Sequence, residues 1–162
     1  MMDIFEFAKE KEKYAEEFYR DLAARSANEG LKEIFIMLAD EEEKHFEMVE
    51  KMQTKIPDNI SETTVLGDAK DIFERMREGA KKFNLDLSQV ALYQKAQEIE
   101  QQAQDFYLAK AREVEDVTQR DIFLMLANEE KKHYILLDNI IEFVSRPQQW
   151  LENAEFYHLE EY

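Results

Sequence analysis

The sequence predicts an all-α protein, a four-helix bundle built from two helical hairpins that are joined by a long crossover. Helix-breaking residues are scarce, with 3 Gly and 2 Pro in 162 residues. Apolar residues recur at the spacing of one helix face through most of the chain. Two stretches also repeat in one register, 88 positions apart. The two hairpins are therefore expected to share one layout.

The first hairpin is predicted from its cap, its break and its two apolar stripes. Asp3 followed by Glu6 resembles a capping box that starts a helix over residues 4–25. Residues 26–30 read Ser-Ala-Asn-Glu-Gly and interrupt the helical pattern. A second helix is expected over residues 31–52.

The crossover is predicted to contain a short helix of its own. Residues 53–67 have the composition of a linker, and residues 68–83 have an amphipathic helical pattern. Asp86 or Ser88 is then expected to cap the third bundle helix, which ends near Arg112. A crossover of about 35 residues is long enough to run the length of a bundle, so the hairpins can pack with pseudo-twofold symmetry.

The chain is expected to end in a fourth helix and a tail. A turn near residues 113–118 leads to a helix over residues 119–145, and Pro147 stops it. We therefore divide the chain into a bundle, residues 1–146, and a C-terminal docking tail, residues 147–162. Docking is expected because the tail carries the large apolar residues Trp150, Leu151, Phe156 and Tyr157.

The repeat carries a set of acidic and imidazole side chains. Each copy has one Glu and, 30 positions later, a Glu-x-x-His motif. Residues 35–45 and 123–133, which contain these motifs, are identical at 8 of 11 positions. The six residues are Glu12, Glu42 and His45 in the first copy, and Glu100, Glu130 and His133 in the second.

The spacing places these six residues in one layer of the bundle. If the first hairpin turns at residue 27, Glu12 and Glu42 both lie about 22 Å along their helices from that turn. The midpoint of Glu100 and Glu130 is residue 115, which falls inside the second predicted turn. Each of the six occupies a core position of an otherwise apolar stripe. Within each motif the His lies three residues after the Glu, and therefore on the same helix face.

Burying four glutamates in a core requires compensation, because an unpaired buried carboxylate costs several kcal/mol. Two divalent cations would balance the four negative charges. Carboxylate oxygens with one imidazole per metal suit iron or manganese, and zinc can bind the same donors. The sequence therefore predicts that all six residues are both the metal ligands and the catalytic residues of one site.

Other polar residues admit two interpretations. Glu155 and His158 form a third Glu-x-x-His motif, which has no repeat copy and is interpreted as coincidence. Glu16 lies on the site face of its helix and is interpreted either as a polar residue without a role in the site or as a spare ligand or partner of a ligand. Tyr19 and Tyr107 either pack in the core with satisfied hydroxyl groups or act on the site itself, as ligand partners or radical quenchers.

Composition excludes several classes of function. The net charge is −16, from 37 acidic and 21 basic residues, which disfavours nucleic acid as a partner. The absence of Cys excludes disulfides, cysteine-ligated clusters and thiol catalysis. No apolar run of about 18 residues and no leader-like N-terminus occur, so we expect a soluble cytoplasmic protein without membrane contact.

With these motifs in place, the sequence over residues 3–145 resembles the ferritin-like superfamily, and most closely the rubrerythrin family. The resemblance implies that one Glu of each hairpin bridges two iron ions, while the other Glu and the His each bind a single ion. The bridging residues would be Glu42 and Glu130, the terminal carboxylates Glu12 and Glu100, and the imidazoles His45 and His133.

The sequence departs from that family at three points. Rubrerythrins carry a further Glu one turn past the ligand of the third helix, where this chain has Ala103. They tend to have Glu at the position of His133. They also commonly carry a four-cysteine rubredoxin domain, and this chain has no Cys. An external electron donor, such as a rubredoxin-like protein, is therefore expected.

The resemblance favours a non-haem di-iron or iron–manganese oxidoreductase that reduces hydrogen peroxide or oxygen. The alternative is a ferroxidase or iron-handling protein for which iron is the substrate. A structural metal site or a sensor is a third interpretation. The sequence also leaves open a hydroxylase of organic substrates, because it does not reveal the shape of a pocket. A homodimer is expected from the aromatic tail and the helix at 68–83.

Overall fold

The computed structural model describes residues 3–54, 62–79 and 85–152, together with Leu159. These residues contain α-helices, a 3-10 turn at Leu87–Gln89 and 3-10 backbone at Leu159, and no strand, which confirms the predicted all-α class. The helices are α1 (Ile4–Arg25), α2 (Glu29–Thr54), α3 (Val65–Gly79), α4 (Val90–Glu113), α5 (Val117–Ser145) and α6 (Pro147–Glu152).

Side-chain caps fix the starts of α1 and of the turn before α4. The Asp3 carboxylate accepts hydrogen bonds from the backbone amides of Phe5 and Glu6, as the predicted cap requires. The Asp86 carboxylate accepts from the backbone amide of Ser88. Of the two residues proposed to cap this helix, Asp86 therefore has that role, and it acts through the 3-10 turn.

Two further caps explain why α2 and α5 start two residues earlier than expected. The side-chain oxygen of Asn28 accepts from the Leu31 amide at 2.9 Å. The Asp116 carboxylate accepts from the Gln119 amide at 2.8 Å. Both residues satisfy amides that the helix itself leaves without a partner. At the other end of α5, Pro147 is the first residue of α6, a position that needs no amide donor.

The four long helices form two hairpins, α1 with α2 and α4 with α5. The hairpins run in opposite directions, so the turn end of each meets the open end of the other. Apolar clusters fill both ends of the bundle, and the polar layer of Glu and His residues lies between them. The larger cluster includes Leu22, Leu31, Phe35, Leu136 and Phe143, and the smaller one includes Ala8, Val49, Met52, Phe123 and Leu126.

The crossover helix α3 packs against α2 and α5 at the larger apolar cluster. Its inward face includes Ile72 and Phe73, both almost fully buried. The helix starts at Val65, three residues before the predicted start. Residues 80–83, at the end of the predicted helix, lie outside the described residues.

The tail docks on this end of the bundle. Trp150 has no exposed surface, and its ring lies 4.6 Å from the ring of Phe73 in an edge-to-face arrangement. Leu151 is also buried, whereas Phe156 and Tyr157 lie outside the described residues. Trp150 and Leu151 are thus buried within their own chain, and the expected homodimer stays a prediction.

Among the helices that the structure describes, none has the length and apolar character needed to cross a bilayer.

Candidate metal centre

The fold brings together all six side chains that the sequence singled out. They come from all four long helices and meet in the layer between the two apolar clusters. Each has at most 2% of its surface exposed. Glu12 comes from α1, Glu42 and His45 from α2, Glu100 from α4, and Glu130 and His133 from α5.

These side chains form two overlapping groups of four, and Glu42 and Glu130 belong to both. Within each group, one donor atom from every residue lies within 4.8 Å of the others. Two donors that each lie about 2.1 Å from one metal are up to about 4.2 Å apart, so each group needs little adjustment to hold one ion. Glu12 and His45 complete one group, and Glu100 and His133 complete the other.

Both imidazoles turn the same nitrogen towards the carboxylates. Nδ1 of His45 lies 2.7 Å from the Glu130 carboxylate. Nδ1 of His133 lies 2.9 Å from Glu42 and 3.4 Å from Glu100. The two rings are nearly parallel, with centroids 5.8 Å apart. Each Nδ1 is therefore available to an ion that the neighbouring carboxylates bind.

Several oxygen atoms in this layer are buried without a hydrogen bond. Oε2 of Glu12, Glu42 and Glu100 has no donor in the part of the chain that the structure describes. Leaving a charged buried acceptor unsatisfied costs at least about 1–3 kcal/mol. Hard oxygen donors beside imidazole nitrogen suit a divalent cation such as iron or manganese, so the donor set fits a metal centre.

Burial and the closeness of the carboxylates shift the pKa values of this cluster. Burial raises the pKa of Glu42 and Glu130 well above the usual range, and the neighbouring carboxylates raise it further. Burial acts to lower the pKa of His45 and His133, but the surrounding carboxylates raise it well above the usual range. Burial acts to raise the pKa of Glu100, but His133 and its other partners lower it to about 2. Binding of divalent cations would displace these protons.

Two tyrosines hold the carboxylates that belong to one group only. The Tyr19 hydroxyl donates to Glu100, and the Tyr107 hydroxyl donates to Glu12, both at 2.5 Å. Burial raises the pKa of both tyrosines, and the nearby carboxylates raise it further, so the hydroxyls remain protonated donors. The tyrosines thus pack in the core with satisfied hydroxyl groups and contact candidate ligands. A role as radical quenchers stays a prediction. Each bond joins one hairpin to the other.

Sequence reasoning missed two further glutamates, Glu41 and Glu129. Nε2 of His45 lies 2.8 Å from Glu129, and Nε2 of His133 lies 3.8 Å from Glu41. Each of these two carboxylates therefore faces Nε2 of an imidazole, whereas Nδ1 of the same ring faces the candidate ligands. The repeat itself could have identified them, because they lie 88 positions apart and each directly precedes a shared glutamate.

Among the described residues, Glu129 has a backbone hydrogen-bond donor that Glu41 lacks. The backbone amide of Thr63, in the segment that leads into α3, donates to Glu129 at 3.2 Å. One Glu41 oxygen has no hydrogen-bond partner among the described residues. Its other oxygen lies 3.7 Å from the exposed ammonium group of Lys44. Nε2 of His45 therefore has a closer carboxylate than Nε2 of His133, and that carboxylate is itself hydrogen-bonded to the backbone.

Glu16 does not join the layer, although it lies close to it in sequence. Glu16 is nearly buried, but Arg20 holds its carboxylate at 3.0 Å, and it belongs to neither group of four. The motif Glu155–His158 lies outside the described residues, so its interpretation as coincidence stays a prediction.

A cavity of about 520 Å³ lies between α1 and α4 and reaches this layer. Its lining includes Glu12 and Glu42 at the bottom. Residues that are largely exposed, such as Tyr14, also belong to the lining, so the cavity opens to solvent. The candidate metal centre therefore has an access route on this side of the bundle.

The bundle of two hairpins and the carboxylate–histidine layer in its core define the ferritin-like class of metal-binding proteins. Comparison with protein families agrees, since the Rubrerythrin model matches residues 3–141. The chain belongs to the rubrerythrin family. No curated protein and no solved structure matches the chain.

Proposed function

We propose that this protein is a di-iron oxidoreductase that reduces hydrogen peroxide or oxygen with electrons from an external donor. The observation that supports the proposal most is the membership of Glu42 and Glu130 in both groups of four. Shared carboxylates hold two ions side by side, and adjacent ions can act on the two oxygen atoms of one small oxidant.

Each ligand has an assigned position in the proposal. Glu42 and Glu130 would bridge the two ions, and His45 and His133 would each bind one ion through Nδ1. When bound, two ferrous ions supply the two electrons that convert hydrogen peroxide and two protons to two water molecules. Glu12 and Glu100 would complete the ligand set.

The residues around the ligands keep this geometry in place. Tyr107 donates to one oxygen of Glu12, and the other oxygen has no donor among the described residues and is free for an ion. Glu129 orients the imidazole of His45, which keeps Nδ1 directed at the layer. The apolar clusters at both ends exclude water, so an oxidant would enter by the cavity that reaches Glu12 and Glu42.

Anaerobic loading with ferrous iron, followed by rapid mixing with peroxide, tests the proposal. We expect fast oxidation of about two ferrous ions per chain, as in two-metal sites generally. Glu130→Ala should lose both the bound iron and the fast oxidation. The matched control is Glu98→Ala, because Glu98 lies exposed on α4, and this variant should behave like wild type.

Two outcomes would contradict the proposal. Unchanged oxidation kinetics in Glu130→Ala would show that the layer does not hold the reacting iron. Turnover of many ferrous ions per chain, with mineral formation, would instead identify iron as the substrate.

A further inference from the structure

The cavity between α1 and α4 is elongated along the helix axes. On α4 its lining runs from Lys95 to Tyr107, and on α1 it runs from Phe7 to Ala15. At about 1.5 Å per residue, these stretches measure about 18 Å and about 12 Å. The cavity therefore extends along both helices, well beyond the candidate ligands at its bottom.

The volume of the cavity is much larger than hydrogen peroxide requires. A water molecule occupies about 30 Å³ in the liquid, so the two oxygen atoms of peroxide need roughly 60 Å³. The cavity has about 520 Å³, a volume in the range of about 300–1,000 Å³ that is typical of sites for organic ligands. The metal layer thus has room beside it for a substrate that carries an organic group.

Two alanines leave this space open. Ala15 and Ala103 belong to the lining, and they occupy equivalent positions of the 88-residue repeat. Each lies three residues after a candidate ligand, Glu12 or Glu100, on the same helix face. Because an alanine side chain ends at Cβ, the space next to these ligands stays open where larger side chains would fill it.

Apolar side chains form the walls of the cavity on both helices. Phe7 belongs to α1, and Ile99 and Phe106 belong to α4. The rings of Phe7 and Phe106 meet across the gap between the helices, with centroids 5.2 Å apart. Phe7 has 38% of its surface exposed and Tyr14 has 53%. Covering such surface is favourable by about 25 cal/mol per Å², so the walls favour an apolar ligand.

The charged residues of the lining favour a neutral ligand. Apart from the candidate ligands they are Lys11, Lys95 and Asp105, and all three are exposed. The Lys95 ammonium group lies 3.5 Å from Glu98, and the Lys11 ammonium group lies 5.2 Å from the centre of the Phe7 ring. Within the lining that the structure describes, no buried cation is thus available to pair with a buried anion, and burying an unpaired charge is costly.

We propose that the substrates of this protein are neutral organic hydroperoxides, ROOH. The apolar group R lies in the cavity between α1 and α4, and the O–O group lies at the metal layer. Breaking the O–O bond takes two protons and two electrons, which the ferrous ions of the proposed function supply, and it yields the alcohol ROH and one water molecule. The external donor then returns the two electrons. This assignment of the substrate class rests on the proposed function.

Rapid mixing of the anaerobic, iron-loaded chain with cumene hydroperoxide and, separately, with hydrogen peroxide tests the proposal. The readout is the ratio of the two rate constants of iron oxidation. This ratio should fall at least about tenfold in Ala103→Phe, because the new ring fills the cavity beside the metal layer. The matched control is Ala91→Phe, at an exposed position of α4 outside the lining, which should keep the wild-type ratio.

Different results would contradict this proposal and the proposed function. Fast oxidation of wild type by hydrogen peroxide but not by cumene hydroperoxide would overturn the organic substrate class and leave the proposed function standing. A wild-type ratio in Ala103→Phe would likewise overturn the assignment of the cavity alone. Slow oxidation of wild type by both peroxides would refute the proposed function, and this proposal with it.

Binding of the product alcohol gives a readout that does not depend on turnover or on a variant. Zinc takes the place of iron, because it binds the same donors and undergoes no redox reaction. In wild type with ¹³C-labelled alanine methyl groups, 2-phenyl-2-propanol should shift the signals of Ala15 and Ala103 saturably and leave that of Ala91 in place. Unmoved Ala15 and Ala103 signals would overturn the proposal, also where Ala103→Phe fails to fold.

The same titration tests the preference for a neutral ligand. The para-carboxylate of this alcohol, 4-(2-hydroxypropan-2-yl)benzoate, should bind at least about tenfold more weakly, because its charge would enter the cavity without a buried partner. If the carboxylate binds as tightly as the neutral alcohol, the assignment to neutral hydroperoxides is wrong.

Discussion

The two halves of the candidate centre have the same ligands but different support. In one half, Glu129 lies 2.8 Å from His45 and also accepts a hydrogen bond from the Thr63 amide. In the other half, Glu41 lies 3.8 Å from His133 and has no backbone donor among the described residues. The ligands come from the repeated helices, whereas Thr63 comes from the crossover, which occurs once. The crossover therefore breaks the symmetry that the repeat creates.

This difference makes the two ion positions unequal. A carboxylate that is hydrogen-bonded to a ligand imidazole fixes its orientation and increases its basicity. We therefore expect the half that contains His45 to bind its ion more tightly than the half that contains His133.

Removing a shared ligand should abolish iron binding in both halves. Glu42 belongs to both groups, whereas Glu12 belongs to one. Iron per chain, measured after anaerobic loading and desalting, should fall to nearly zero in Glu42→Ala and to about one in Glu12→Ala. Retention of two ions by Glu42→Ala would mean that the two groups do not share this ligand.

Lowering the pH should weaken both halves together. Because the pKa values of Glu42 and Glu130 are raised, these groups keep protons that metal must displace, and so do His45 and His133. Affinity should therefore rise with pH, by about tenfold per unit for each proton released. Calorimetry at pH 6 and pH 8, in buffers with different ionisation enthalpies, measures both the affinity and the number of protons released. An affinity that does not change with pH would contradict this account.

Substitutions of Glu129 and Glu41 should change the metal affinity of the two halves by different amounts. Glu129→Gln keeps a hydrogen-bond acceptor but removes the charge beside His45, and it should weaken the tighter of two successive binding steps by about 10–100-fold. Glu41→Gln should change binding by less than about fivefold, because its contact with His133 is long. Titration with cobalt(II), followed by its visible absorption, resolves the two steps. Equal effects of the two substitutions would show that the halves are equivalent.

The tyrosines should affect both halves equally. Tyr19 and Tyr107 donate to Glu100 and Glu12 at the same distance, 2.5 Å. Tyr19→Phe and Tyr107→Phe should each lower the free energy of unfolding of the metal-free protein by about 1–2 kcal/mol. Urea denaturation of both variants beside wild type measures this. If the two variants differ in free energy of unfolding by more than about 1 kcal/mol, the tyrosine contacts also differ between the halves.

Much of the fold and the site was accessible from the sequence because hairpins are local structures. Glu12 and Glu42 are 30 residues apart, and the helix breaks at residues 26–30 between them. These two facts place the side chains level with each other, independently of how the rest of the chain packs. Glu41 and Glu129 carried the same repeat signal, but a doublet of glutamates on a helix is usually exposed. Periodicity alone could not show that each of them faces an imidazole of the opposite hairpin.

Local sequence patterns were enough to predict the four long helices, the two turns, and the face and level of each candidate ligand, but not the short helix α6. The packing of the two hairpins was needed to show that Tyr19 donates to Glu100 of the other hairpin, that the Thr63 amide donates to Glu129, and that a cavity opens between α1 and α4. Spacing along the chain sets the geometry of one helix or one hairpin only. Contacts between hairpins depend on interhelical distance and on the path of the crossover, which the packing of all the core side chains sets together.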